Sequence, residues 1–414
     1  MAENRDIIDD IIDIQQDWKA VSRPLARVTD SLVASATGAG DVFDPANYKE
    51  RPRANSSRCH NVSFGQAGLC DRCVEVCPVD AIAIGKSSVT VADSCRKCGL
   101  CAAVCPADVF VVSKTSPRPL YDRIARIASA YERCYLTCTR AIGRLPEDNE
   151  VILPCVGALG DDLWFALLAE YDNIWVYLPV GICDRCRTTT GERTYVDAIS
   201  RAEWRCGYPV GLEVDEERLD HEQSRAYKRM QFVGSAVRAG GTVAMPGLAG
   251  ARAVAERIRQ HTKRATQLQH TVERMVGTST SQSKRRVLYQ GRKLVLAALQ
   301  EHPELAPRLK PEVPVCDRTL CTMCGDCAKG CTMHACDLDR EGRFSVEPTY
   351  CNGCGDCAKA CPTGALAMAP GDPDDLVILD PELEKRKAEA AAAKERGKKA
   401  LKRGLDALES LAED

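Results

Sequence analysis

The chain has 414 residues and 24 cysteines, with 56 Lys+Arg nearly balancing 58 Asp+Glu for a formal charge of −2. A chain of this length builds several hydrophobic cores without covalent staples, which excludes the disulfide frame of a small secreted scaffold. Near-neutral charge and six histidines remove the basic signature of a nucleic-acid binder, and no uncharged apolar run reaches the roughly 20 residues of a membrane span.

Within residues 1–54, the segment 5–20 places Ile7, Ile8, Ile11, Ile12, Ile14 and Trp18 on one helical face and Asp6, Asp9, Asp10, Asp13 and Asp17 largely on the other. This predicts an amphipathic helix that packs on its own chain or on a partner subunit. No basic segment followed by an apolar one opens the sequence, so a cytoplasmic location is expected, where thiols stay reduced and serve metal or redox chemistry.

Residues 55–117 hold the first cysteine group. Cys95-Arg-Lys-Cys98-Gly-Leu-Cys101-Ala-Ala-Val-Cys105-Pro106 has the C-x2-C-x2-C-x3-C spacing of bacterial two-cluster ferredoxins. Three thiolates that converge on one iron–sulfur cube need a tight loop with a cysteine at every third residue. The fourth cysteine, expected to start a helix, serves the other cluster. The partner run, Cys70-Asp-Arg-Cys73-Val-Glu-Val-Cys77-Pro78, lacks a cysteine three residues before Cys70, where Ala67 stands. Cys59, set off by an insertion, is the nearest candidate. One cluster is then assigned to Cys59, Cys70, Cys73 and Cys105, the other to Cys77, Cys95, Cys98 and Cys101. A three-cysteine cube with an open iron, or His60 as the fourth ligand, remains an alternative for the first.

Residues 118–210 alternate helix and strand. Leu120, Ile124, Ile127, Ala128 and Tyr131 stand at helical spacing, and short β-rich runs follow at Cys134–Cys138, Val151–Cys155 and Ile174–Leu178, with a helix around Leu163–Leu168 between the last two. This is the pattern of a parallel sheet. Cys138 and Cys155 end successive strands and Cys183-Asp-Arg-Cys186 follows the third, at the carboxyl edge where open parallel sheets bind ligands. Cys138, Cys155, Cys183 and Cys186 are therefore candidates for one metal site. A structural zinc, a C-x2-C dithiol that cycles through a disulfide, and unligated thiols are the alternatives, with Cys134 and Cys206 as reserve ligands.

Residues 211–311 read as a helical connector with two basic stretches, Arg225–Arg229 and Lys284–Arg286, each suited to a solvated face or an acidic surface. Residues 312–372 then carry Cys321-Thr-Met-Cys324-Gly-Asp-Cys327-Ala-Lys-Gly-Cys331 and Cys351-Asn-Gly-Cys354-Gly-Asp-Cys357-Ala-Lys-Ala-Cys361-Pro362. Both have the ferredoxin spacing, which assigns Cys321, Cys324, Cys327 and Cys361 to one cluster and Cys331, Cys351, Cys354 and Cys357 to the other. Zinc sites usually use paired C-x2-C knuckles instead. Cys316 and Cys336 read as structural, and His334 takes a loop position matched by Gly364. Residues 373–414 end in a charged helix, 381–414, rich in Ala, Lys and Glu.

Both four-cysteine groups resemble the 8Fe ferredoxin family, over about residues 55–115 and 312–372. The middle segment, through Leu153-Pro-Cys155-Val-Gly-Ala-Leu159 and Gly181-Ile-Cys183-Asp-Arg-Cys186, resembles the delta-subunit family of methyl-viologen-reducing hydrogenase. That resemblance implies a [2Fe-2S] cluster on the four middle cysteines. The expected fold class combines α+β and α/β: two ferredoxin-like βαβ repeat modules flank a small parallel-sheet domain, with helical connectors. No complete G-x-G-x-x-G, G-x-x-x-x-G-K-[ST] or C-x-x-C-H is present, so nucleotide and haem attachment are unsupported and no catalytic residue is assigned. The expected role is an electron-transfer subunit with four [4Fe-4S] clusters and a further [2Fe-2S] cluster or zinc. It would serve a redox subunit carrying flavin, molybdenum or nickel–iron, and other electron carriers. A thiol–disulfide or heterodisulfide-type reductase using Cys183 and Cys186 is the alternative.

Overall fold

A computed structural model describes residues 51–112, 115–221 and 286–378, together with 385, 388 and 389. The helix expected over 5–20, the basic stretch Arg225–Arg229, most of the 211–311 connector and nearly all of the 381–414 helix lie outside the described residues. Among the described residues, no helix is long and apolar enough to cross a membrane.

The first cysteine-rich unit contains β1 (Arg53–Ala54), α1 (His60–Ser63), α2 (Arg72–Glu75), β2 (Ile82–Ile84), β3 (Val89–Val91), α3 (Leu100–Val104) and β4 (Phe110–Val111). The outer strands pair antiparallel with Ala54 opposite Phe110, and the inner two form a hairpin with Ile82 opposite Val91. Two-stranded sheets this short are marginal alone. Their core is Ile82, Val89, Val109 and Phe110 together with Cys59, Cys73 and Cys101, so the sulfurs are part of what holds the unit.

The middle segment contains α4 (Pro117–Ala130), β5 (Cys134–Cys138), α5 (Thr139–Ile142), β6 (Glu150–Leu153), α6 (Asp161–Glu170), β7 (Ile174–Tyr177), α7 (Gly191–Cys206) and β8 (Gly211–Glu213). Its four strands are all parallel, in the order β6-β5-β7-β8. The strand after β5 goes to one side and β7 to the other, which opens a crevice at the carboxyl ends of β5 and β7. Pro117 sits in the first turn of α4, where its missing N–H costs nothing, and the helix buries Leu120, Tyr121, Ile124 and Ala128. Leu163 through Leu168 of α6 are all buried, because this helix lies between the sheet and further helices. The opposite sheet face is closed by Tyr135, Tyr177 and Leu219, with Trp175 against them.

The last segment contains α8 (Gln290–Glu301), α9 (Ala306–Leu309), β9 (Glu312–Cys316), α10 (Asp326–Gly330), β10 (Cys336–Leu338), β11 (Phe344–Val346), α11 (Asp356–Ala360) and β12 (Leu366–Pro370). Helix α8 packs on α6 and α4 and brings Leu294 through Leu299 into the middle core. Strand β9 pairs with β12 and β10 with β11, both antiparallel. This repeats the outer-pair and inner-pair arrangement of the first unit. The sheet also reaches past residue 210, since Gly211–Glu213 forms its fourth strand.

One expectation is corrected. The fourth cysteine of each complete run ends a helix instead of starting one: Cys105, Cys331 and Cys361 are extended residues capping α3, α10 and α11. The helix spans the segment between third and fourth cysteines, since it begins at a left-handed glycine after the second. Replacing Phe165, which has no exposed surface at the centre of the middle core, by Ala is expected to cost about 3–5 kcal/mol. Chemical denaturation of the loaded chain measures it.

Candidate metal centres

A repeated backbone device turns the cysteine loops. Lys97, Met323 and Gly353 have φ of 57°, 56° and 69°, and Gly99, Gly325 and Gly355 two residues later have 82°, 76° and 79°. Two left-handed residues around the second cysteine curl each loop so that its thiols face inward, and glycine supplies the second at no steric cost. A further left-handed residue stands three positions after every fourth cysteine: Asp80, Asp108, His334 and Gly364. His334 is thus a turn residue.

The departing run is built differently. Asp71 leads straight into α2, and Cys59 caps the start of α1. Asn61 folds the insertion back: its Oδ1 accepts from the N–H groups of Leu69 at 2.7 Å and Cys70 at 3.2 Å, and its Nδ2 donates to the Cys70 carbonyl. Cys59, Cys70, Cys73 and Cys105 consequently line one cavity, about 360 Å³ of empty space partly open to solvent. Burial, with Cys105, Cys70 and Cys59 as like neighbours, pushes the Cys73 thiol up to about 12. His60 borders this cavity, but its Nδ1 lies 2.5 Å from Asp356 Oδ2 and its Nε2 3.2 Å from Thr332 Oγ1.

Cys77, Cys95, Cys98 and Cys101 form a second group. Burial first, then Cys98, Cys95, Cys73 and Cys77, raises the Cys101 thiol. The Ala81 N–H donates to Cys77 Sγ at 3.2 Å and the Lys97 N–H to Cys95 Sγ at 3.4 Å.

In the last segment, Cys327 is pushed up to about 12 by burial, with Cys357, Cys324 and Cys321 around it. Cys361 falls below the ordinary thiol range: burial opposes this, but the backbone at Thr363, Ala365 and Leu366 and the Thr363 hydroxyl outweigh it. Cys351 and Cys354 are both raised by burial, with Cys331 and Cys357 among their neighbours. The two thiols read as structural lie close by. Cys316, opposite Leu366, contacts Cys321, and Cys336, opposite Val346, donates to Cys331 and Cys357, lowering both.

Cys138, Cys155, Cys183 and Cys186 line one cavity of about 430 Å³, partly open to solvent, at the crevice beyond β5 and β7. Burial pushes Cys155 up to about 12, with Cys138, Cys98 and Cys186 as further causes. Each sulfur has a donor: backbone N–H groups of Arg140 and Ala141 for Cys138 and of Gly157 for Cys155, the Tyr195 hydroxyl 3.8 Å from Cys183 Sγ, and the Thr188 N–H 3.4 Å from Cys186 Sγ. An all-sulfur set with such donors fits zinc or an iron–sulfur cluster. The reserves are elsewhere. Cys134 begins β5, at the other end of the strand from Cys138, and Cys206 ends α7 with its thiol directed at the Phe165 carbonyl at 3.6 Å. Sequence patterns missed Asn61 and Tyr195, since neither belongs to a cysteine spacing.

Residues 68–109 match the family described as a 4Fe-4S dicluster domain, and residues 343–366 match one described as a 4Fe-4S binding domain. No match to a curated protein or to a solved structure was found. Both cysteine-rich units therefore contain 4Fe-4S ferredoxin-type domains.

Cys206 offers a pH test outside the cavities. Burial raises its thiol from 9.0 to about 12, so the fold retains a proton that the unfolded chain releases. Its contribution to stability is whole below pH 9 and is lost as pH rises towards about 12. In denaturation series at pH 8 and pH 10, Cys206→Ala is expected to lose less stability on alkalisation than the parent, with unchanged metal content.

Proposed function

We propose that the protein is an iron–sulfur relay that moves single electrons between partner subunits of a larger oxidoreductase. The observation that carries this reading is the gathering of cysteines into groups of four, each supplied with backbone donors. The proposed ligand sets are Cys59, Cys70, Cys73 and Cys105; Cys77, Cys95, Cys98 and Cys101; Cys331, Cys351, Cys354 and Cys357; and Cys321, Cys324, Cys327 and Cys361. Each would hold a [4Fe-4S] cluster, while Cys138, Cys155, Cys183 and Cys186 would hold a [2Fe-2S] cluster.

When bound, such clusters take up and release one electron at potentials set by their surroundings. The chain's contribution is to hold and tune. The thiolates fix the irons, N–H donors such as Ala81 and Lys97 stabilise charge on sulfur, and the buried walls limit water. Each thiol must lose its proton to bind metal, so the burial that raises Cys73 and Cys155 makes loading weaken as pH falls. His60 has both ring nitrogens engaged, which supports Cys59 as the fourth ligand of its group. All four middle thiols line one cavity, which supports a shared centre over a reductase using Cys183 and Cys186 alone. The partners would be a redox subunit carrying flavin, molybdenum or nickel–iron, and other electron carriers in the cytoplasm.

Iron, sulfide and zinc content with reduced-state EPR on anaerobically purified protein tests the reading. About 18 irons are expected from four cubes and one two-iron centre. Iron near 16 with one zinc would overturn the middle cluster, and fewer than about 12 irons would overturn the cubes. Cys186→Ser is expected to remove one spectroscopic centre. Retention of every centre with loss of turnover alone would favour the dithiol reductase.

A further inference from the structure

The two ferredoxin-type units lie far apart in sequence, on either side of the parallel-sheet segment, yet they touch through the segments that carry the proposed ligands. His60, next to Cys59, meets Asp356, between Cys354 and Cys357, and also meets Thr332, next to Cys331. Arg72, between Cys70 and Cys73, donates to the Cys354 carbonyl at 3.2 Å. Asn352, between Cys351 and Cys354, donates to the carbonyl of Pro106, next to Cys105, at 2.5 Å. Every segment of the Cys59 group is thus tied to the Cys351 group. The His60–Asp356 contact is closed to solvent, with side-chain exposures of 3% and 1%. Beside it, Ser63 donates to the Gly330 carbonyl at 2.7 Å, and Phe64 fills the space above Gly330, where a Cβ would stand 2.2 Å from the ring.

Further neighbours connect the middle cavity to the first unit, while Cys331 and Cys351 pack against the middle core and not in its cavity. Cys155 of the middle cavity lies within electrostatic reach of Cys98, and Cys101 within reach of Cys73. Gly99 packs on Ala158, and Thr190 donates to the Val76 carbonyl at 2.6 Å. Beyond the junction, Cys357 neighbours Cys327.

We propose that the two ferredoxin-type units exchange electrons directly across the junction of the Cys59 and Cys351 groups, and that the middle centre is a terminus of the wire beside Cys98 instead of a bridge between the units. This rests on the relay reading above. Electron transfer through protein slows steeply with the gap, and the interlocked ligand segments put the two units in direct contact. One electron leaves the reduced centre on one side and is gained by the oxidised centre on the other, with no bond or proton exchanged. A low-potential one-electron donor supplies it. His60, Asp356, Arg72 and Asn352 are positioning residues that set the separation, and the buried His60–Asp356 pair keeps water from its part of the junction.

EPR of the dithionite-reduced full-length chain, with iron content determined on the same samples, reads the junction as magnetic interaction between centres. Cys354→Ser is expected to remove one cube and to sharpen the signal of the Cys59 centre in the other unit. Cys186→Ser is expected to leave that cross-unit interaction unchanged. Gly330→Val, which wedges Phe64 out without replacing any ligand, is expected to weaken the interaction at full iron content. An unaltered Cys59 signal in both Cys354→Ser and Gly330→Val overturns the junction, as does loss of the interaction in Cys186→Ser. Either result leaves the relay reading standing if iron is complete, whereas a parent chain short of cube iron overturns the relay and the junction together.

Discussion

Gathering four thiols out of water is the constraint on which the rest of the structure depends. Burial alone favours the protonated sulfur, and each neighbouring sulfur adds to that bias, as at Cys73 and Cys101. The chain answers with backbone. The left-handed turn at Lys97 aims its N–H at Cys95 Sγ, and that at Gly353 does so for Cys351. This leaves little chain for ordinary secondary structure. The two cysteine-rich units consist of helices of four or five residues and strands of two to five, and their cores count cysteine among the apolar residues.

The parallel-sheet segment answers the same constraint by another route. The fully buried part of its core holds none of its four cavity cysteines, because α4, α6, α7 and α8 cover one face of the sheet with aliphatic and aromatic side chains, and only Cys138 and Cys183 pack against it from the edge. The sheet can therefore place Cys138 and Cys155 at strand ends and Cys183 and Cys186 on the following loop. A rigid scaffold presents the thiols, whereas in the flanking units the thiols help to make the scaffold.

Much of this was legible in the sequence, for identifiable reasons. Cysteine spacing is local, so the runs from Cys95, Cys321 and Cys351 reveal their loops directly. Short β-rich runs set between helical patterns likewise revealed β5, β6 and β7. Strand β8 escaped because Gly211-Leu-Glu213 is too short to show a period, and α7 because its buried face holds small residues such as Ala198 and Ala202. The role of Asn61 depends on two backbone N–H groups eight and nine residues on, which no spacing rule encodes. Contact between His60 and Asp356 is less visible still, since the pairing emerges only from the packing of whole units.

That pairing also has a consequence for how the chain matures. His60 and Asp356 are 296 residues apart, so on a growing polypeptide the first unit emerges long before the side chain that pairs with His60. Until then His60, which the complete chain holds closed to solvent against Asp356, lacks that partner. Completion of the carboxyl-terminal third buries His60 against Asp356, while the Cys59 cavity, lined by residues of the first unit, stays partly open to solvent.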